Sequence, residues 1–150
     1  SSDPFLRRIS MLFSLSLIIF SIWLIPFNQE DGSSNLRNEV NNFSAQKLSS
    51  LRSEKKAIFV NFTADWCITC KVNEAIALDQ DNVKKLLRQK NIVYLKADWT
   101  RKDQEIASIL ARYGRTGVPL YLLFPSVGDP IILPELLTEN LLLDFLNKIN

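Results

Sequence analysis

"FVNFTADWCITCK", residues 59–71, holds both cysteines of a 150-residue chain, Cys67 and Cys70, directly after Trp66. The apolar, β-branched and aromatic run that leads into it, Ala57 to Phe62, predicts a buried strand. The C-x-x-C pair therefore stands where a strand gives way to a helix. No third cysteine can pair with either thiol, and the chain has no histidine.

Three kinds of chemistry fit two thiols at this spacing. A structural disulfide is a weak reading, because a loop of four residues restricts the unfolded chain little. A metal clip is another. Zinc needs about four ligands, which two thiolates leave incomplete. Cu(I) is soft enough for two thiolates, but the single methionine, Met11, lies in a remote apolar segment. Redox exchange explains the placement best. In the first turn of a helix, unpaired N–H groups and the helix dipole favour negative charge. Cys67 would ionise there more readily than a free thiol, and the thiolate is the nucleophile. Cys70, one turn further on, can attack the mixed disulfide that Cys67 forms.

Outward from this stretch, the pattern alternates. Ser44 is a candidate N-cap for a helix over "AQKLSSLRSEKK". Asp81 can cap "NVKKLLRQK", with Val83, Leu86 and Leu87 on one face. Ile92 to Asp98 reads as a second strand. Asp103 can cap a helix carrying Ile106, Ile109, Leu110 and Tyr113, which Gly114 stops. Leu120 to Phe124 is a third strand, and Ile131 to Leu133 the returning strand of a hairpin. Thr138 opens a last helix with Leu142, Phe145, Leu146 and Ile149. Strands alternating with helices predict an α/β domain, a parallel core sheet covered on both faces, with antiparallel strands closing it. "ADW" occurs twice, at Ala64–Trp66 and Ala97–Trp99, each time after a strand. In parallel strands both copies fall at the sheet edge where ligands gather.

Ile9 to Phe27 is apolar and uncharged over 19 positions. As a helix it would be roughly 28 Å long, close to a hydrocarbon core of about 30 Å. We expect a transmembrane helix over 9–27, in preference to a signal peptide or a buried helix. Arg7 and Arg8 precede it, and Glu30 and Asp31 follow. The positive-inside rule puts residues 1–8 in the cytoplasm and the rest outside it, in a bacterium the periplasm. Residues 28–35 read as a flexible linker, leaving 36–150 as the domain. The chain begins without methionine, so a fragment of a longer protein is expected. With a net charge of +2 and scattered lysines and arginines, the composition shows no basic stripe of a nucleic-acid binder.

"FVNFTADWCITCK" resembles a thioredoxin-superfamily active site, and "GRTGVPLYLLF" resembles that superfamily's cis-proline loop. Together with "TADWCITCKVNE", "ADWT" and the apolar span, nearly the whole chain is similar to the C-terminal region of DsbD-type thiol–disulfide interchange proteins. The resemblance implies a thioredoxin-like fold and protein-disulfide reductase activity. It implies a redox-active Cys67–Cys70 disulfide in place of a cofactor or metal. It implies a cis Pro119 set against that disulfide, with Trp66 shaping the docking surface. The implied partners are a membrane electron-donor domain and a periplasmic disulfide-bearing protein or domain. The domain itself is expected to be monomeric and soluble, on the outer face of a bacterial inner membrane. The alternatives are a stand-alone anchored reductase for cytochrome c maturation and a non-catalytic Cu(I)-binding module.

The neutral dipeptide Ile68-Thr69 agrees with a reducing role. Asp65 and Glu74 flank the pair, and nearby negative charge disfavours the thiolate. The likeness departs at Asn61, where many relatives carry a buried aspartate six residues before the first cysteine. An amide cannot carry that proton, which leaves Glu74 or water to substitute.

Overall fold

Six consecutive buried side chains, Ile58 to Thr63, form the strand on which the domain is built. The computed structural model describes residues 41–149. Its elements run β1 (Asn41–Asn42), α1 (Ala45–Ser53), β2 (Ile58–Thr63), α2 (Ile68–Asn73), a π-helical turn (Glu74–Leu78), α3 (Asp81–Gln89), β3 (Val93–Asp98), α4 (Gln104–Arg112), β4 (Leu120–Phe124), β5 (Ile131–Ile132) and α5 (Glu139–Lys148). The expected flank 1–8, apolar span 9–27 and linker 28–35 lie outside the described residues. Among the described residues no helix is long and apolar enough to cross a membrane.

The sheet order is β1-β3-β2-β4-β5. Strands β1, β3 and β2 run parallel, and β4 is antiparallel to β2 and to β5. This is the mixed α/β sheet that the alternation and the closing hairpin predict. The two-residue strand β1 was not foreseen, since a pair of asparagines carries no apolar signal.

Alternation along β2 sorts its side chains between two cores. Ile58, Val60 and Phe62 join Leu95, Ala97, Leu120 and Leu122 under Ile106, Ile109 and Leu110 of α4, with Leu48 and Leu51 of α1 against them. Phe59 faces the other way, with Tyr121 and Leu123, and packs on Ala77, Leu78, Val83, Leu87, Leu142 and Leu146. Each fully buried Leu or Phe stabilises by ~1.5–3 kcal/mol, so both faces hold the sheet. Asn61 and Thr63 share the second face with Phe59, and α2 with its π turn crosses that face.

Helix ends follow the expected chemistry with one exception. Ser44, Asp103 and Thr138 each accept a hydrogen bond from the backbone N–H three residues on. Gly114 has φ +69°, the left-handed region open to glycine. Its N–H bonds Ala111 O and that of Arg115 bonds Leu110 O, which closes α4 as a Schellman motif. Asp81 is not a cap. It is the first residue of α3, after Gln80, which makes no side-chain cap bond. There its carboxylate sits at the positive end of the helix dipole instead.

Candidate active site

The backbone at the end of β2 turns sharply, with Cys67 N–H bonded to Ala64 O at 3.0 Å. Cys67 keeps an extended conformation as the N-cap of α2, and its Sγ accepts from the Cys70 N–H at 3.2 Å. A sulfur thus takes the place of the usual capping oxygen. The two cysteines are joined as a disulfide, with Cα atoms 5.2 Å apart. Cys70 is fully buried at 0% exposure, and Cys67 retains 7%. Of the pair, only the first cysteine therefore keeps any exposure.

Ala64, from the turn, and Val118 pack on the two cysteines. The Val118–Pro119 peptide bond is cis, and Pro119 is buried. The residue preceding the proline makes the apolar contact with the disulfide, a role that the reading of Pro119 alone did not assign. Gly117 borders the ring of Trp99.

The two "ADW" tripeptides do meet. Trp66 and Trp99 pack with ring centroids 6.0 Å apart. Trp99 N–H bonds Thr63 O at 2.7 Å, and Trp66 Nε1 donates to Thr100 O at 3.2 Å. Thr100 Oγ1 accepts from the Asp65 N–H at 2.9 Å and itself donates to Asp98 Oδ1. That bond from Thr100 is the main cause holding the Asp98 carboxyl below the ordinary carboxylate range. The second tripeptide is thus a buttress for the first.

The two flanking acids are not bare charges. Asp65 pairs with Lys71 at 3.1 Å. Its hydrogen bond, helped by the charge of Glu74, holds the Lys71 ammonium above the usual lysine value despite some burial. Glu74, largely buried, takes a hydrogen bond from Thr63 Oγ1 at 3.2 Å. Lys96 stands 3.5 Å from one of its oxygens and Lys71 3.7 Å from the other. The expected opposition between acids and helix dipole is therefore weakened, because two lysines offset the carboxylates.

Asn61 is fully buried. It lies between Lys96 on β3 and Tyr121 on β4 in the strand register. Its Nδ2 donates to Tyr94 OH at 2.9 Å, while its Oδ1 is buried with no partner. Burial pushes the Tyr94 phenol well above its ordinary range, against the lowering effect of that bond. On either side of Asn61, Thr63 bonds Glu74 and Tyr121 bonds Asn73. The strand neighbours of the amide are thus tied to the helical turn that follows Cys70.

Asn73 was missed from the sequence. It is buried, and its Nδ2 donates to Tyr121 OH at 2.9 Å and to Glu135 O at 2.6 Å, while its Oδ1 accepts from Leu137 N–H at 3.1 Å. It ties α2 to β4 and to the segment before α5. Burial pushes the Tyr121 phenol up to about 12. A polar residue on a helix face gives no sequence signal that distinguishes it from a solvated one.

A family model described as thioredoxin-like matches residues 39–126, more than half of the chain. The thiol:disulfide interchange protein DsbD of Yersinia pestis is 32% identical over 80 residues, covering 53% of this chain and 13% of that protein. That of Vibrio vulnificus is 30% identical over 86 residues, covering 57% and 14%. The matched region thus spans 13–14% of the length of these relatives. Among solved structures, the oxidised C-terminal domain of Neisseria meningitidis DsbD superposes with a TM-score of 0.61 at 21% identity, covering 74% of this chain and 99% of that one. A thioredoxin from Thermus thermophilus gives 0.58 at 18%, covering 73% and 85%. The strand-to-helix disulfide, the cis-proline loop beside it and the family match converge: the chain belongs to the thioredoxin-like family, and it is similar to the C-terminal domain of DsbD.

Proposed function

We propose that this chain is a protein-disulfide reductase that relays electrons by dithiol–disulfide exchange. In the reduced form, the Cys67 thiolate attacks one sulfur of a partner disulfide. A Cys67–partner bond forms, the partner's S–S bond breaks, and the leaving sulfur takes a proton. Cys70, deprotonated, then attacks Cys67 Sγ, which restores the intramolecular disulfide and releases the second partner thiol. Two electrons and two protons pass to the partner. A donor dithiol reverses the steps and recharges the pair, so no dissociable cofactor enters. Cys67 serves as attacking thiol and Cys70 as resolving thiol. Trp66 and Pro119 shape the docking surface, while Asp65, Glu74 and Asn61 tune the pair.

The observation that carries this reading is the disulfide at the start of α2, in which Cys67 keeps slight exposure and Cys70 keeps none. The donor is a membrane domain and the acceptor a periplasmic protein or domain, with 9–27 as the anchor; the apolar span and its charged flanks support that assignment. Reduction of insulin disulfides by the full chain in neutral detergent, with dithiothreitol as donor, tests the activity. Turnover above the uncatalysed rate, lost in Cys67→Ser, is expected. Turnover that survives Cys67→Ser would remove the site from the reaction.

A further inference from the structure

Among the described residues, five of the seven large apolar side chains exposed to solvent gather around one helix: Trp66, Ile68, Val72, Ile76 and Leu136. Ile68, 80% exposed, Val72 and Ile76 recur every four positions through α2 and the π turn, so they share one face. Leu136 stands beside that helix, because Asn73 binds the backbone of both its neighbours. Helix α3 is the contrast. Its exposed positions are Asp81, Asn82, Lys85, Arg88 and Gln89, all polar. An apolar patch of this kind marks an interaction surface.

Its position says what covers it. The patch begins at the disulfide, since exposed Trp66 and Ile68 flank the recessed Cys67 in the chain. A partner sulfur must come down onto this ridge to react. The charges at the rim are paired with one another, Lys71 with Asp65 and Glu74, Lys96 with Glu74, and Arg115 with Glu135 beside Leu136, which leaves a strongly charged partner little to bind. Lys71 is the single basic residue between Trp66 and Leu78, and Asp65 and Glu74 both pair with it. A lipid-binding helix would instead carry lysines or arginines beside its apolar face.

We propose that Val72, Ile76 and Leu136 extend the docking surface away from the disulfide and select partners whose reacting cysteine is flanked by a neutral, apolar segment. This rests on the exchange reading. The three side chains lie away from the reacting sulfurs, so they act on encounter and not on the bond exchange itself.

The test uses the full chain, reduced beforehand, in neutral detergent. The probes are single-cysteine peptides, each carrying its cysteine as a mixed disulfide with a chromogenic aromatic thiol. Attack by Cys67 on the peptide sulfur releases the chromophore, and Cys70 then frees the peptide. Flanking residues are leucine and valine, or serine, lysine or glutamate. At low peptide concentration the apolar peptide should react on the order of tenfold faster, the factor that about 1.4 kcal/mol of association produces. Val72→Ser/Ile76→Ser/Leu136→Ser should abolish that preference through a weaker half-saturation. Its rate with a small symmetric aromatic disulfide should be unchanged. Equal rates for all peptides in the unsubstituted chain, or a preference that survives the triple substitution, would overturn the proposal. A preference that disappears in lipid nanodiscs would mean that lipid covers the ridge, and a rate per molecule that falls with protein concentration would mean that a second copy does. Either result also overturns it. If the unsubstituted chain fails to reduce even the small disulfide, the exchange reading falls instead.

Discussion

Cys67 and Cys70 share one disulfide but not one environment. Ala64 and Val118 pack on both, but the first keeps slight exposure at the N-cap of α2 and the second keeps none. In the reduced protein iodoacetamide should therefore modify Cys67 first, since access and the helix terminus both favour its thiolate. Peptide mapping checks this, and prior modification of Cys70 would reverse the roles. Asn61 carries the second prediction at this scale. Its surroundings offer Tyr94, Tyr121 and Lys96, and Lys96 is engaged by Glu74. Asn61→Asp would place a carboxyl where burial raises its pKa above the unfolded value. The folded state then binds more protons, so stability is kept below the unfolded pKa and lost as pH rises through the folded one. A loss of about 1–3 kcal/mol at pH about 7.5, shrinking at pH about 4.5, is expected. Urea melts of the oxidised proteins measure it, and equal losses at both pH values would contradict the burial argument.

Elements are where the sequence was most readable. Ser44, Asp103 and Thr138 announced their helices because a short oxygen-bearing side chain can reach the third backbone N–H. Gly114 announced an end because its φ is open to glycine. Asp81 misled, since an acid in the first turn and an acid at the cap look alike in sequence. The same limit hid Asn73, Lys96 and Thr100, whose partners lie 48, 22 and 34 or more positions away for Tyr121, Glu74 and Trp66. The Cys67–Cys70 pair was legible from local spacing, and the cis Val118–Pro119 bond through family likeness. Asn73 gives this scale its prediction. Asn73→Ala leaves Tyr121 OH, Glu135 O and Leu137 N–H without their partner. A cost of about 1–3 kcal/mol per buried group left unsatisfied sets the range, partly relieved where Glu135 reaches water. Denaturant unfolding should show a loss of at least about 2 kcal/mol. A loss near zero would mean that the tie between α2 and β4 is dispensable.

At the scale of the molecule, the sheet brings two distant tripeptides to one edge and sets the disulfide between them and the cis-proline loop. Strand β2 delivers Cys67, β3 delivers the Trp99 and Thr100 buttress, and the segment entering β4 delivers Val118. One sheet thus positions three walls of the site, while the exposed apolar ridge lies on the helix that follows Cys67. The central claim is that Cys67 forms a covalent bond with the partner and Cys70 breaks it. Mass spectrometry of Cys70→Ser after reaction with an equimolar single-cysteine peptide mixed disulfide tests this directly. The account predicts a stable adduct of one peptide per chain, mapped to Cys67, with no such adduct accumulating in the chain that retains Cys70. Continued turnover by Cys70→Ser without an adduct would contradict it.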